Sequence, residues 1–575
     1  MSLGYKFKVS TGLPATRHDR PPVAVLYPGV GMGEMIILPG GRRRPLEVGK
    51  TILSHLQQTG ASVTAHCGGR GECRACAIHV DRVDLLSPKT GVEESVLGDP
   101  LMRLACQATV VSVDGTLRVE LPQYPGYSIV ERGLRPQVPP SPLVEVAGRE
   151  GSPSVTWGGR VLGPYEGEIF GVALDIGTTT LAMRWLDLED RQNPDRFSAS
   201  VLNPQIRFGD NVIDRIRYAM KTPGGARHLQ NAVIGAVNNL LSCGAVRPDH
   251  IYEMTVAGNS VMRDLFLGRP VEGLGAFPFE PLSMGAVNAK ASGLGIPINP
   301  EGNVYALPLI GHFVGADTLA MILATEMHTR EEVAMAIDIG TNTEIAVGNR
   351  EGIMVTSCAS GPAFEGSGIA CGTGSVEGAI QRVEIGAGGR VSYATIGNGA
   401  PVGICGSGLI DTLAELLEHG IIDWTGKFTG GIGQFSLAEG ERGVYLDGSD
   451  LDNLKLAKAA VAAGAAVLLE RAGIEAGELT RLFLAGAFGT YIDVANARRI
   501  GMLPMIPPER VEKVGNASIE GAALALLSRE CRRQAEELAG KISHVSLERD
   551  PAFQDRFVEE LCFPEYRKNE RSAAG

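Results

Sequence analysis

The chain has 575 residues, which is too long for one ordinary core and predicts several domains. Its formal net charge of -12 disfavours nucleic acid as a partner, because no basic face balances the acidity. The longest wholly apolar run, Ala459 to Leu469, is shorter than the roughly 20 residues of a membrane span and predicts a buried helix. The N-terminus lacks an apolar signal-peptide core, so we expect a cytoplasmic protein that binds no membrane.

Composition divides the chain into six parts. Residues 22–124 alternate short β-like runs with a helix-like segment and a cysteine loop, which predicts a small α+β domain. Residues 125–168 are rich in Pro and Gly without periodicity and predict an extended linker. Strand-like and helical runs then alternate in an α/β pattern. The expected boundaries are 1–21 (N-terminal extension), 22–124 (cysteine domain), 125–168 (linker), 169–334 (first lobe), 335–545 (second lobe) and 546–575 (C-terminal tail).

Four of the ten cysteines cluster near the N-terminus. Cys67, Cys73 and Cys76 have the spacing C-x5-C-x2-C, and Cys106 follows after 29 residues. Three close thiolates on a glycine-bearing loop plus a distant fourth are typical of a [2Fe-2S] site. The plant-type spacing is C-x4-C-x2-C, so the extra residue favours the adrenodoxin-like branch of that fold. A structural zinc site, the alternative, normally has two paired C-x2-C knuckles.

A second signature occurs twice. The segment GVALDIGTTTLA (171–182) returns as MAIDIGTNTEIAV (335–347), and each copy is an apolar strand, an Asp-Ile-Gly-Thr turn and a second apolar run. Each turn offers a carboxylate, hydroxyl groups and free backbone N–H groups, which polyphosphate and magnesium require. The repeat predicts two similar lobes facing each other. The candidate residues are Asp175 and Asp338 for catalysis, and Gly177, Thr178, Thr179, Thr180, Gly340, Thr341, Asn342 and Thr343 for phosphate binding.

The two Asp turns lie 163 residues apart, and a later glycine-rich segment reads LFLAGAFGTYID (482–493). Together they resemble the superfamily of actin, sugar kinases and heat-shock chaperone ATPases. The resemblance implies two lobes that clamp ATP with Mg2+, and it makes Gly486 and Gly489 candidates for the adenosine side; a structural glycine turn is the alternative. Glu365 and Asp317 are candidates for water activation or metal binding, although helix capping and surface solvation are the favoured interpretation of both.

With both signatures on one chain, residues 22–564 resemble the reductive activators of corrinoid proteins, which are ATP-dependent iron-sulfur enzymes of corrinoid methyltransferase systems. The resemblance implies an N-terminal α+β ferredoxin-like (β-grasp) [2Fe-2S] domain followed by a two-lobed α/β ATPase. One departure is the short stretch before the first Asp turn, where relatives can carry a further small domain. The segments that carry the resemblance include NPQIRFGDNVIDRI (203–216), ASGPAFEGSGI (359–369), GNASIEGAAL (515–524) and DPAFQDRFVEELCFP (550–564).

The resemblance also implies a function. A corrinoid protein would be the partner, and its cobalt would be reduced from Co(II) to Co(I) by one electron that the cluster relays from an external low-potential donor. The ATPase lobes would drive this transfer with ATP and Mg2+, and a homodimer is left open. Two alternatives remain: a cluster-gated redox sensor or chaperone-like binding module, and a small-molecule kinase with an accessory ferredoxin. The lack of an identifiable sugar site disfavours the kinase.

Overall fold

The computed structural model describes residues 33–38, 42–58, 76–97, 99–120, 140–148, 152–190, 192–244, 246–439 and 443–564. The N-terminal domain is a five-stranded sheet with two short helices. Its elements are β1 (Glu34–Leu38), β2 (Arg42–Pro45), α1 (Ile52–Gln58), β3 (Ala77–Val80), α2 (Gly91–Val96), β4 (Met102–Leu104) and β5 (Thr116–Glu120). The strand order is β2-β1-β5-β3-β4, and the central β1 and β5 are parallel. The predicted α+β ferredoxin-like domain is confirmed.

Alternation of apolar and polar residues gives this domain its core. Met35 and Ile37 of β1 are buried, and they lie beside the buried Leu117 and Val119 of β5. A buried ion pair joins the Nε atom of Arg103 to the carboxylate of Glu93 at 2.9 Å. Both charges are removed from water, so their pairing is required for burial.

A three-stranded antiparallel sheet occupies part of the segment expected to be a linker. Its strands are β6 (Val144–Ala147), β7 (Ser154–Trp157) and β8 (Arg160–Pro164), in the order β6-β7-β8. Val144 and Val155 are fully buried against the first lobe, and the Trp157 Nε1 donates to Glu253 Oε1 at 2.8 Å. The linker expectation is therefore wrong for 144–164. Strands of four or five residues are too short to show a clear period in the sequence.

The first lobe is a six-stranded mixed sheet. Its strand order is β11-β10-β9-β12-β14-β13, with β9 parallel to β12 and antiparallel to β10. The core strands are apolar almost throughout because both faces of the sheet are covered. The elements are β9 (Phe170–Ile176), β10 (Thr180–Asp187), β11 (Asp195–Leu202), α3 (Val212–Lys221), α4 (Gly225–Cys243), β12 (Ile251–Gly258), α5 (Ser260–Phe266), β13 (Val287–Lys290), β14 (Asn303–Ala306) and α6 (Ala316–Ala324).

The second lobe repeats this plan. Its main sheet has the order β24-β23-β15-β16-β17-β25, with β15 parallel to β23 and antiparallel to β16. The elements are β15 (Ala334–Asp338), β16 (Thr343–Asn349), β17 (Gly352–Cys358), β18 (Ala379–Ile385), β19 (Val391–Thr395), β20 (Gly403–Ile404), α7 (Gly406–Glu418), β21 (Gln434–Ala438), β22 (Val444–Asp447), α8 (Gly448–Ala472), β23 (Arg481–Ala485), α9 (Gly486–Gly489), α10 (Val494–Arg499), β24 (Val511–Gly515), α11 (Ala517–Leu527), α12 (Arg529–Ala539), β25 (Ser543–His544) and α13 (Pro551–Glu560).

The two lobes share one topology, in which a central strand carries the Asp turn between an antiparallel pair on one side and parallel strands on the other. Two helices pack together between the lobes. Helix α6, which follows the first sheet in sequence, packs on β12 of that sheet and also on β15 and β16 of the second, whereas α11 packs on β9 and β12 of the first. The Arg184 guanidinium of β10 donates to Glu520 Oε2 of α11 at 2.7 Å, which fastens that helix to the first sheet. The predicted two similar lobes are confirmed.

The apolar run from Ala459 to Leu469 lies in the long helix α8, as predicted, and most of it is buried. Helix α13, in the segment expected to be a tail, packs against α8. The ammonium group of the buried Lys458 donates to Glu560 Oε2 at 3.0 Å and to the Cys562 carbonyl at 3.0 Å. None of the helices in the described parts of the chain is long and apolar enough to cross a membrane.

Helices α6 and α11 cross most closely at Gly521, where an added Cβ would collide with the carbonyl of Ala320. We expect Gly521→Ala to lower the free energy of unfolding by about 2 kcal/mol, because overpacking forces the two backbones apart. The matched control is Gly235→Ala in α4, where no atom lies within 4 Å of the added Cβ. The control should be neutral or stabilising by up to about 1 kcal/mol. Equal effects in chemical denaturation would contradict the close crossing.

Candidate functional site

The first Asp turn follows β9. The Gly177 N–H donates to the Thr180 carbonyl at 2.9 Å, and an added Cβ at Gly177 would lie 2.7 Å from that same oxygen. Only glycine therefore fits the turn without a shift. The side-chain amide of Asn203 donates to the Gly177 carbonyl at 2.8 Å, and its backbone N–H donates to the Thr179 carbonyl at 2.7 Å. The turn is thus held at two carbonyl groups.

A buried arginine supports this turn from behind. Arg215 is fully buried and donates to the Thr178 carbonyl at 2.5 Å. Burial lowers the pKa of Arg215 to about 9. Asn259 donates to the Thr178 hydroxyl at 3.2 Å. Arg215 and Asn203 both belong to the segment 203–216, which is one of the segments that carry the family resemblance. The structure shows that this segment supports the first turn, a role that we did not assign from the sequence.

The second Asp turn follows β15 and is held by the segment after β17. The Ser360 hydroxyl donates to the Gly340 carbonyl at 2.9 Å and lies 2.8 Å from the Thr343 hydroxyl. The Gly361 N–H donates to the Thr341 carbonyl at 2.9 Å. These contacts join residues 360–361 to the second turn.

The two turns meet across one cleft. The Thr179 and Thr341 hydroxyl oxygens lie 3.1 Å apart, although 162 residues separate them in sequence. Both hydroxyls donate to Glu365: Thr179 to Oε2 at 2.7 Å and Thr341 to Oε1 at 2.8 Å. The interpretation of Glu365 as a solvated surface residue is therefore wrong, because its carboxylate joins the two lobes.

Asp175 is positioned by the start of α11. The Asn516 amide donates to Asp175 Oδ2 at 2.8 Å, and the Ser518 hydroxyl donates to Oδ1 at 2.9 Å. Burial raises the pKa of Asp175, and the two hydrogen bonds oppose that rise. Asn516 and Ser518 lie more than 300 residues beyond Asp175, so sequence spacing gave no signal for this contact. In the sequence, the segment GNASIEGAAL (515–524) indicated only a resemblance to the family and not this contact.

Four carboxylates converge at the cleft, and we call them the cleft acids: Asp175, Asp317, Asp338 and Glu344. Burial, with a smaller repulsion from Asp175, raises the pKa of Asp317 to about 7. Burial and then the charges of Asp175 and Asp317 raise the pKa of Asp338 to about 7. The pKa of Glu344 is raised well above its usual range by burial and by Asp317 and Asp338. A bound cation would favour their charged forms.

A hydrated Mg2+ fits the cleft acids. Within the described ranges, no group of three or more acidic, histidine or cysteine side chains has the arrangement to cage a metal ion directly. Mg2+ usually keeps several of its waters and binds one or two carboxylates together with phosphate oxygens. Asp175 and Asp338 are the acids at the two turns and would hold such an ion.

Gly486 lies at the second turn. Its φ is +86°, and an added Cβ would lie 2.5 Å from Asp338 Oδ1, so a side chain is excluded by both strain and contact. An added Cβ at Gly489 would lie 3.3 Å from the Leu484 carbonyl carbon. The structure thus brings Gly486 beside Asp338, and the assignment of both glycines to the adenosine side stays a prediction.

Two cavities of about 520 and 580 Å³ lie apart from the Asp turns. The first is lined by residues 284–286, 288, 308–309, 536 and 539–540, and the second by residues 280–284, 310–312, 544 and 546. Neither is lined by Asp175, Asp338 or the threonines that follow them. The turns instead contact each other through Glu365, so a nucleotide would have to part them.

Two of the four predicted cluster ligands lie among the described residues. Cys76 directly precedes β3 and Cys106 follows β4, and the antiparallel pairing of these strands places their Sγ atoms 3.3 Å apart. Both side chains are buried. This distance is well beyond the ~2.05 Å of a disulfide bond and suits two thiolates on one iron atom. Cys67 and Cys73 lie outside the described residues.

Comparison with known proteins decides the family. Residues 37–111 match a 2Fe-2S iron-sulfur cluster binding domain, residues 170–330 the RACo middle region, and residues 332–573 the C-terminal ASKHA domain of RACo. The corrinoid activation enzyme RamQ of Eubacterium limosum is 32% identical over 86% of this chain and 93% of the relative. This chain belongs to the family of corrinoid activation enzymes.

Two further members support the assignment. The [Co(II) methylated amine-specific corrinoid protein] reductase of Methanosarcina barkeri is 26% identical over 69% of this chain and 77% of its own length. The solved structure of a reductive activator for a corrinoid, iron-sulfur protein is 29% identical, with a TM-score of 0.68 over 92% of this chain and 98% of that one. This corrinoid activation family member therefore carries a [2Fe-2S] domain and an ATPase domain.

The cleft acids should make stability depend on pH. The pKa of Asp338 in the folded protein is about 7, against an ordinary value of 3.8, so the folded state holds more protons between these values and stability falls as pH rises through them. Asp338→Asn removes this loss. Its stability relative to the natural protein should increase on the order of 2 kcal/mol from about pH 5 to about pH 8. Calorimetry without Mg2+ that showed a constant difference would contradict the assigned pKa.

The cluster ligands can be tested by substitution. Cys106→Ser should abolish the iron-sulfur visible absorbance and lower bound iron, because one of four thiolates is lost. The control is Cys243→Ser, an exposed cysteine at the end of α4, which should retain both. Full iron content in Cys106→Ser, or zinc in place of iron in the natural protein, would refute the assignment.

Proposed function

We propose that this protein reduces the cobalt of a corrinoid protein from Co(II) to Co(I) by one electron in an ATP-dependent step. The observation that carries the proposal is the meeting of the two Asp turns at Glu365 in a chain that also has a cluster-binding domain and belongs to the corrinoid activation family. Clustered thiols suit the reducing cytoplasm, where we place the protein.

The proposed ATP site is the cleft between the turns. Asp175 and Asp338 would bind the hydrated Mg2+, and the hydroxyl and N–H groups that follow each of them would bind the phosphates. Asn516 and Ser518 keep the Asp175 carboxylate oriented through their hydrogen bonds of 2.8 and 2.9 Å. Gly486 leaves room beside Asp338.

The proposed electron path begins at an external low-potential donor. Cys67, Cys73, Cys76 and Cys106 would hold the [2Fe-2S] cluster, which supplies a one-electron carrier. The burial of Cys76 and Cys106 limits contact of their sulfurs with water, and Gln107 Nε2 donates to Cys106 Sγ at 3.6 Å. Burial and hydrogen bonds to the sulfurs both tune the reduction potential.

ATP can overcome an unfavourable potential difference. For one electron, about 59 mV corresponds to about 1.4 kcal/mol. A two-state switch worth about 5.5 kcal/mol therefore offsets a gap of roughly 230 mV. The nucleotide must bind one state of the complex with the corrinoid protein more tightly than the other for this coupling to operate.

An anaerobic spectroscopic experiment tests the function. The Co(II) form of a methylated-amine-specific corrinoid protein is mixed with this protein, a titanium(III) reductant and Mg-ATP, and the Co(I) absorbance is followed. We expect Co(I) to form only with ATP, and Asp175→Asn to slow its formation by about 100-fold, because a charged metal contact is lost. Cys243→Ser serves as the unaffected control. Co(I) formation at the same rate without nucleotide would contradict the ATP dependence, and no Co(I) formation with Mg-ATP would favour a cluster-gated sensor.

A further inference from the structure

Glu365 is fixed firmly to the second lobe. The side chains of Ala363 and Phe364, just before it, are buried in the core of that lobe. The Glu365 N–H donates to the Pro362 carbonyl at 2.9 Å. Gly366, just after it, has a φ of +86°, and an added Cβ there would lie 2.5 Å from the Thr373 nitrogen. The backbone at Glu365 is therefore held on both sides, and its carboxylate is directed by the fold.

The carboxylate uses both hydroxyl protons at the junction of the lobes. Each threonine hydroxyl has one proton to donate. Thr179 donates to Oε2 and Thr341 donates to Oε1, at 2.7 and 2.8 Å. An incoming phosphate needs hydrogen-bond donors, so it can bind these hydroxyls only after they no longer donate to Glu365. Each oxygen of the carboxylate accepts a hydrogen bond from one hydroxyl. Two oxygens of a phosphoryl group would accept hydrogen bonds from the same two hydroxyls.

The position of this junction indicates which phosphate competes. The two turns approach from opposite lobes and converge at Thr179 and Thr341. A polyphosphate bound along both turns would place its terminal group at their point of convergence. A shorter polyphosphate would leave that point to Glu365. Like charges at hydrogen-bond distance repel strongly in a partly buried site.

We propose that Glu365 lowers the affinity for nucleoside triphosphate relative to diphosphate, because its carboxylate competes with the terminal phosphate for the Thr179 and Thr341 hydroxyls. The inference rests on the proposed ATP site. The third phosphate can bind the two threonine hydroxyls, and so join the two lobes, only if it displaces the Glu365 carboxylate. A purely structural brace would stabilise the protein equally with either nucleotide and would not affect this relative affinity.

Calorimetric titration with two probes, Mg-AMPPNP and Mg-ADP, tests the inference on the full-length protein. Glu365→Gln keeps the shape of the side chain but removes its charge and frees a hydroxyl proton. We expect it to tighten AMPPNP binding by about tenfold and to change ADP binding by less than about twofold. The matched control is Glu351→Gln, which removes one exposed carboxylate between β16 and β17 of the same lobe and should change neither affinity.

The outcomes separate the inference from the proposed function. If the natural protein binds neither probe, the ATP site itself is refuted. If it binds both and Glu365→Gln leaves their affinity ratio unchanged, only the role of Glu365 is refuted. Should Glu365→Gln fail to fold, Glu365→Asp is the second variant. It keeps the charge but is one methylene too short to bind both hydroxyls, so we expect the ratio to shift towards AMPPNP, and an unchanged ratio would overturn the inference.

Discussion

The burial of several carboxylates in one place is the constraint on which the cleft depends. Asp175, Asp317 and Asp338 come from different strands and helices of the two lobes, and burial raises the pKa of each. Their ionised forms are costly until a cation shares the site. In the proposed ATP site, a nucleotide that brings Mg2+ would remove this cost. Glu365 would oppose binding of the terminal phosphate, because it occupies the hydroxyls that this phosphate would need.

Helix α11 connects this site to the rest of the chain. The start of α11 holds Asp175 through Ser518, and its end holds the segment that leads from the cluster domain: the Ser141 N–H donates to the Leu527 carbonyl at 2.7 Å, and the Arg529 N–H donates to the Ser141 carbonyl at 3.1 Å. Eleven helical residues span about 16 Å. One helix therefore connects Asp175 with residue 141.

Repetition made the two lobes and their facing turns predictable, because the Asp-Ile-Gly-Thr strings report a local structure that recurs. The proximity of Cys76 and Cys106 was predictable because the cysteine spacing is typical of one cluster site. The role of Glu365 was not predictable, since it depends on hydroxyls from two lobes meeting in space. The contact of Ser518 with Asp175 was not predictable for the same reason. The strands at 144–164 were not predicted because strands of four or five residues are too short to show a clear period.

The most direct test of the account is a crystal structure of the full-length protein with Mg2+ and AMPPNP. The account predicts a triphosphate between the two turns, a hydrated Mg2+ beside Asp175 and Asp338, and a terminal phosphate bound by the Thr179 and Thr341 hydroxyls with the Glu365 carboxylate moved away. A nucleotide bound elsewhere, with Glu365 still joining the two threonines, would contradict it.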